Sequence, residues 1–138
     1  FVGASVSLLV LIFVPLKVYN PLVLIYFAVL SCSFMGLLGL ITGIWASKFD
    51  HVAAITNFIV TPLSLLSGTF YSITILPKNF YIISQLNPFF YMIDGFRFSM
   101  IGYADSNIYL GSLILLVLNI LLYCITILML KSGFKLKA

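Results

Sequence analysis

The chain has few charged residues and contains no glutamate. Its 138 residues include seven Lys or Arg and three Asp, so 7% are charged and 63% are hydrophobic. Soluble globular domains carry about 25% charged residues. So little charge could not keep this much apolar surface soluble, and a water-soluble fold is therefore excluded.

Groups that perform catalysis or bind metal are equally scarce. His51 is the single histidine, and Cys32 and Cys124 lie inside apolar stretches, where they predict packing rather than a disulfide or a metal pair. The sequence has no glycine-rich phosphate loop, so we expect no ATP hydrolysis by this chain itself. We predict no catalytic residue, no metal site and no cofactor, because an intramembrane enzyme would need acid–base groups that are missing.

Long uncharged runs are what the sequence does contain. Residues 18–47, 52–77 and 106–130 carry no charged side chain. Each run exceeds the roughly 20 residues with which a helix crosses a ~30 Å hydrocarbon core. The sequence therefore predicts an all-α polytopic bundle in a lipid bilayer, with no signal for nucleic acid. We expect about four spanning segments, the first being part of a helix in a longer chain, at about 1–14, 22–46, 52–76 and 109–130.

Residues 77–108 are too polar and too broken to span. Pro77 can begin a helix, Asn87-Pro88 breaks it, and a second short helix over 88–102 can follow. The sequence favours a re-entrant helical hairpin in the outer leaflet, with an amphipathic loop on the membrane surface as the alternative. Asp94 and Arg97 lie three residues apart, so they can form an ion pair that fixes the second helix. The alternative for Arg97 is direct contact with a substrate.

Small and polar residues recur at helical spacing in the third and fourth segments. In the third, the spacings are four, three and four residues, which places all of them on one helix face. Pro62 lies on the opposite side, where we expect it to kink the helix. In lipid such a face turns toward protein or water. Helix packing and the lining of a transport path both remain open. The candidates are Asn57, Thr61, Ser64, Gly68, Asn119 and Tyr123.

The second segment carries a stripe of glycines. Gly36, Gly39 and Gly43 lie on one face, and the last two form a GxxxG pair. Glycines at this spacing let two helix backbones approach closely, so we predict helix packing there.

The positive charges suggest an orientation. Lys131, Lys135 and Lys137 cluster in the C-terminal tail, which the positive-inside rule places in the cytoplasm. Four crossings then place residues 47–51 inside as well, and residues 15–20 and 77–108 outside.

A set of short motifs carries a family resemblance over nearly the whole chain. The sequence resembles the C-terminal part of type-2 ABC exporter permeases of the bacterial inner membrane. The motifs that carry the resemblance are Leu66-Ser-Gly-Thr-Phe-Tyr-Ser72, Leu76-Pro77, Leu86-Asn-Pro88, Tyr91 and Gly95-Phe-Arg97.

The resemblance implies a multi-pass inner-membrane permease with six spanning helices, of which this chain would supply the third to sixth. It also implies a homodimer or paired permease halves, a separate ATP-binding cassette ATPase subunit, and an outer re-entrant hairpin between the last two helices. Export by alternating access is the expected function. The alternative is a non-transporting scaffold or assembly subunit, or an inactive fragment of such a permease.

Overall fold

The computed structural model describes residues 18–46, 48–68 and 77–132, and every regular element in these ranges is helical. The elements are α1 (Pro21–Trp45), α2 (Phe49–Ile55), a π-helical segment (Thr56–Val60), α3 (Thr61–Leu65), α4 (Lys78–Leu86), α5 (Pro88–Ile101) and α6 (Ile108–Lys131). The predicted all-α class is confirmed for this part of the chain. Predictions for residues 1–17 and 69–76 lie outside the described residues.

α1 and α6 are long and apolar enough to cross a membrane. They contain 25 and 24 residues, which correspond to about 36 Å of helix. Asparagine side chains cap both helices: Asn20 Oδ1 accepts from the N–H of Leu22 at 3.2 Å, and Asn107 Oδ1 accepts from the N–H of Tyr109 at 3.0 Å. The structure thus has helices where the second and fourth spans were predicted.

These two helices run parallel and pack along their length. Near their first residues, Tyr26 Oη and Ser112 Oγ share a hydrogen bond of 2.8 Å. Half-way along, Asn119 Nδ2 donates to the Leu30 carbonyl at 3.2 Å. At their last turns, Trp45 and Leu128 line one cavity. The starts of α1 and α6 therefore lie at one end of the bundle and their ends at the other, which is the relative sidedness that the lysine pattern predicts.

α5 runs antiparallel to α1 and packs against both long helices. The Asn20 N–H donates to the Ser99 carbonyl at 3.0 Å, and the rings of Phe34 and Phe89 lie 6.3 Å apart. Phe27, Phe34, Met92 and Leu115 form the buried core between these helices. The start of α5 therefore reaches Phe34, which lies about 20 Å along α1 from Pro21.

The third segment differs from the single helix, kinked at Pro62, that was predicted over 52–76. Its helical part begins at Phe49 and ends at Leu65, after which residues 66–68 form a turn with Gly68 at φ 76°. The π-helical segment lies just before Pro62. A proline ring clashes with the carbonyl four residues earlier, here that of Phe58, and a wider π turn relieves the clash. Pro62 was predicted to change the shape of the helix. In the structure a π turn precedes it, and α3 ends three residues after it, at Leu65.

Candidate functional site

The early end of α3 leaves backbone carbonyls that side chains of the hairpin bind. Asn87 Nδ2 donates to the Leu63 carbonyl at 2.6 Å, and Ser84 Oγ donates to the Leu66 carbonyl at 2.9 Å. Arg97 Nη2 donates to the Gly68 carbonyl at 2.6 Å. We call Ser84, Asn87 and Arg97 the carbonyl clasp.

The clasp satisfies groups that a membrane protein cannot leave unpaired. The last turn of any helix has carbonyls without intrahelical partners. Away from water each unpaired group costs several kcal/mol. Ser84 and Asn87 are 0% and 2% exposed, so these two contacts are shielded from solvent. The broken helix and the hairpin are therefore complementary parts of one unit.

Asn87 has two roles at the hairpin tip. Its Oδ1 accepts from the Phe89 N–H at 3.0 Å and caps α5, while its Nδ2 binds the Leu63 carbonyl. Pro88 follows at the first position of α5, where its missing N–H is harmless. The break predicted at Asn87-Pro88 is confirmed, and so are the two short helices on either side of it.

Arg97 and two aspartates form a second cluster next to the clasp. The predicted pair is present, with Arg97 Nη1 3.7 Å from Asp94 Oδ1, but Asp105 Oδ2 is closer to the same nitrogen at 2.7 Å. The side chains of Asp94 and Asp105 are 1% and 0% exposed, and that of Arg97 is 20% exposed. Asp105 was missed from the sequence, although it is one of only three carboxylates and lies across the loop that follows α5.

Asp94 holds that loop in place. Its Oδ1 accepts from the Asp105 N–H at 2.8 Å, and its Oδ2 accepts from the N–H and the hydroxyl of Ser106 at 2.9 and 2.6 Å. Three donors to one carboxylate orient the entry into α6. Asp94 is therefore mainly a loop-binding residue, and Arg97 links Asp105 to the end of the broken helix.

Two tyrosines near this cluster have shifted acidities. A hydrogen bond with Asp105, and the charge of that carboxylate, raise the pKa of Tyr103. Burial raises the pKa of Tyr91, with smaller contributions from Tyr81 and Asp94. The Tyr91 hydroxyl donates to the Gln85 carbonyl at 2.7 Å.

The polar stripe predicted on the third segment is not one helical face. Asn57 lies within the π-helical segment, which changes the phase of the helix, and Gly68 lies in the turn beyond its end. Thr61 Oγ1 donates to the Thr56 carbonyl at 2.9 Å, and Ser64 Oγ donates to the Thr61 carbonyl at 2.8 Å. These hydroxyls bind their own backbone, and Gly68 instead contributes its carbonyl to the clasp.

Asn119 and Tyr123 have different surroundings. Asn119 is 8% exposed and bonds across to α1 through Leu30, whereas Tyr123 is 57% exposed. Asn119 therefore contributes to packing between the two long helices. Lining of a transport path by Tyr123 remains a prediction.

The glycines with the closest contacts are not those of the predicted stripe. A Cβ at Gly36, Gly39 or Gly43 would have no described atom within 4 Å, so packing of that face stays a prediction. By contrast, a Cβ at Gly95 would lie 2.2 Å from the Phe27 ring, and one at Gly111 would lie 2.9 Å from Tyr91. Close approach of α5 to its two neighbours thus depends on glycines outside any GxxxG pair.

The site has no metal-holding group in the described ranges. No group of three His, Cys, Asp or Glu there could hold a metal ion. What the arrangement can do is mechanical, because its hydrogen bonds and ion pairs join the broken third segment, the hairpin and the entry into α6.

In the described residues these features define a class: a helical membrane protein whose hairpin binds the end of a broken helix. The family described as ABC-2 type transporter matches residues 1–101, and the chain belongs to this family. The inner membrane transport permease YadH of Escherichia coli (strain K12) is 35% identical over 137 residues, covering 98% of this chain and 54% of that relative. YadH of Shigella flexneri matches with the same identity and coverage. The chain thus spans about half the length of the curated relatives it matches. No solved structure matches it.

Proposed function

We propose that this chain is the C-terminal portion of the transmembrane permease subunit of an ABC exporter in the bacterial inner membrane. In this proposal a separate ATPase subunit drives alternating access, and the permease acts as a homodimer or as paired halves. The carbonyl clasp is the observation that supports it best. Its residues Ser84, Asn87 and Arg97 join the third segment to the hairpin. A movement of the third segment would therefore be transmitted to the hairpin.

The hairpin is proposed to be re-entrant. Its tip at Asn87-Pro88 adjoins Phe89, whose ring contacts Phe34 about 20 Å along α1. α5 is buried against α1 and α6, and a loop lying on the membrane surface would instead leave one of its faces to water. A tip half-way along a spanning helix supports insertion into one leaflet.

The hairpin end of the bundle is proposed to face outward. Lys131 and the lysines that follow it favour a cytoplasmic position for the end of α6, and α1 ends on the same side because the two helices are parallel. Single cysteines at Ser132 and Tyr103, in a background without Cys32 and Cys124, test this orientation in intact cells. Only the Tyr103 position should react with a membrane-impermeant thiol reagent, and the reverse labelling pattern would contradict the topology.

ATP hydrolysis in proteoliposomes tests the transport proposal. The complete permease should co-purify with its ATPase subunit, and hydrolysis should depend on the presence of the permease. Asn87→Ala, which removes a clasp contact, should reduce this coupled hydrolysis while the two subunits remain associated. Phe80→Ala is the matched control, because Phe80 is half exposed on α4 and takes no part in the clasp.

A scaffold would behave differently in the same assay. Hydrolysis that is the same with and without the permease would contradict the exporter and favour the scaffold or an inactive fragment. A fall in hydrolysis for Phe80→Ala equal to that for Asn87→Ala would contradict a specific role of the clasp.

A further inference from the structure

The π-helical segment is the least supported part of residues 49–68, the described portion of the third segment. Thr61 donates both its backbone N–H and its hydroxyl to the Thr56 carbonyl, so the wide turn is stabilised locally. Thr56, Asn57, Phe58 and Ile59 are exposed, with Phe58 at 81%. No Cα of the π-helical segment lies within 8 Å of a described helix other than its two chain neighbours, α2 and α3. Such single π turns are points where a helix can change shape.

Both neighbours of the π-helical segment are attached to the bundle. On one side the carbonyl clasp holds α3 to the hairpin, and the hairpin is fixed by α5 in the core. On the other side α2 touches α1, where the rings of Trp45 and His51 lie 5.7 Å apart. Because α2 and α3 are both held, a movement of the third segment takes place between them, by bending at the π-helical segment.

A cavity of about 270 Å³ lies beside this point. α1 lines it with Gly39, Gly43 and larger neighbours, and the opposite wall includes Thr56 and Val60. The glycines leave the space open because they have no side chains to fill it, and a Cβ at either would meet no described atom within 4 Å. No Cα of the π-helical segment lies within 8 Å of a Cα of α1. An apolar gap of this kind forgoes packing energy, which favours its closure or filling.

We propose that the π-helical segment is a hinge, at which the third segment bends toward α1 and closes the cavity over Gly39 and Gly43. The clasp keeps α3 on the hairpin while the middle of the segment moves. In this proposal Gly39 and Gly43 leave the space into which the helix moves. This inference goes beyond the proposed function, since it names the element that moves within a single chain and the surface of α1 that it meets.

A disulfide that can form only in the closed state tests the hinge. Thr42→Cys and Thr56→Cys place thiols on opposite walls of the cavity, in a complete permease whose Cys32 and Cys124 are replaced by Ala. Cysteines whose Cα atoms are more than about 7 Å apart cannot be joined without backbone movement. Mild oxidation in lipid nanodiscs should nevertheless form the bond. Ile41→Cys with Thr56→Cys should not form it, because Ile41 does not line the cavity.

Filling the cavity supplies the matched control. Gly39→Leu, added to the Thr42/Thr56 cysteine pair, should abolish the disulfide while protein abundance and melting temperature remain those of the parent. Gly36→Leu should leave the disulfide intact, because Gly36 also has open space but does not line the cavity.

Three results would overturn the hinge. The first is no disulfide in the parent, and the second is an equal disulfide with Gly39→Leu. The third is that Gly39→Leu and Gly36→Leu each abolish the disulfide and also change the oligomeric state. That result would make the glycines a packing face between chains. This assay contains no ATPase, so its failure would leave the transport proposal to the hydrolysis measurements.

Discussion

Arg97 makes its shortest ion pair with Asp105, across the loop that follows α5, at 2.7 Å. Asp94, one turn before it in the same helix, is 3.7 Å away and is occupied by donors from the loop. The arginine therefore joins three separate parts of the chain: its own helix, the entry into α6 through Asp105, and the broken helix through the Gly68 carbonyl.

The first prediction is that Asp105 and Arg97 are energetically coupled. Arg97→Gln leaves the Asp105 carboxylate buried beside a neutral side chain and should lower the free energy of unfolding by about 3 kcal/mol. The double variant Arg97→Gln with Asp105→Asn should lose less than Arg97→Gln alone. Unfolding in mixed detergent micelles measures all three variants. Exact additivity of the two single changes would show that the pair is not coupled.

Asn87 provides the second prediction, because its two contacts can be separated. Asp is as good a helix cap as Asn but cannot donate to the Leu63 carbonyl. The ionised side chain of Asn87→Asp should therefore keep the start of α5 and lose the Leu63 contact, with a cost of about 2 kcal/mol from the unpaired and repelled carbonyl. Asn87→Ala should cost more, since it also removes the cap. Thermal melting in detergent distinguishes them, and a harmless Asn87→Asp would mean that the Leu63 contact contributes nothing.

Gly95 is the subject of the third prediction. An added methyl group would overlap the ring of Phe27, which is 1% exposed and belongs to the buried core. Gly95→Ala should destabilise by about 3 kcal/mol or prevent folding, and Phe27→Leu in the same chain should restore part of the loss. Gly36→Ala is the comparison: its Cβ meets open space, so Ala should stabilise the helix by about 0.5–1 kcal/mol. Equal abundance and melting temperature for Gly95→Ala and Gly36→Ala would contradict the close contact.

The fourth prediction concerns pH and Tyr103. Its pKa is raised in the folded protein by the hydrogen bond with Asp105, so this contact favours the protonated phenol. The stabilisation is fully present below the unfolded value of about 10 and is lost as the pH rises through the higher folded value. The difference in tyrosinate absorbance between the parent and Tyr103→Phe should titrate with a midpoint above 10. A midpoint at or below 10 would show that the phenol does not bind the carboxylate.

Much of the helix pattern was predictable from local chemistry. Pro77 and Asn87-Pro88 set the limits of the two short helices, because proline cannot donate a hydrogen bond and restricts the residue before it. The third segment was predicted less well. Its uncharged run continues to residue 77, but α3 ends at Leu65. The carbonyls around this end bind Ser84, Asn87 and Arg97. Those partners lie 18 to 29 residues away in sequence, beyond the reach of a local pattern.

By itself, the sequence determined that this is a helical membrane protein, because it has few charges and its apolar runs have the length with which helices, whose backbone groups pair internally, cross lipid. Its motifs also identified the family. Only the tertiary structure decided which glycines are tightly packed and which carboxylate binds Arg97. The spacing that suggests a GxxxG contact is the same whether or not a neighbour is present, so Gly39 and Gly95 differ only through Phe27. Asp105 in turn reaches Arg97 because the loop before α6, held by Asp94, folds back over α5.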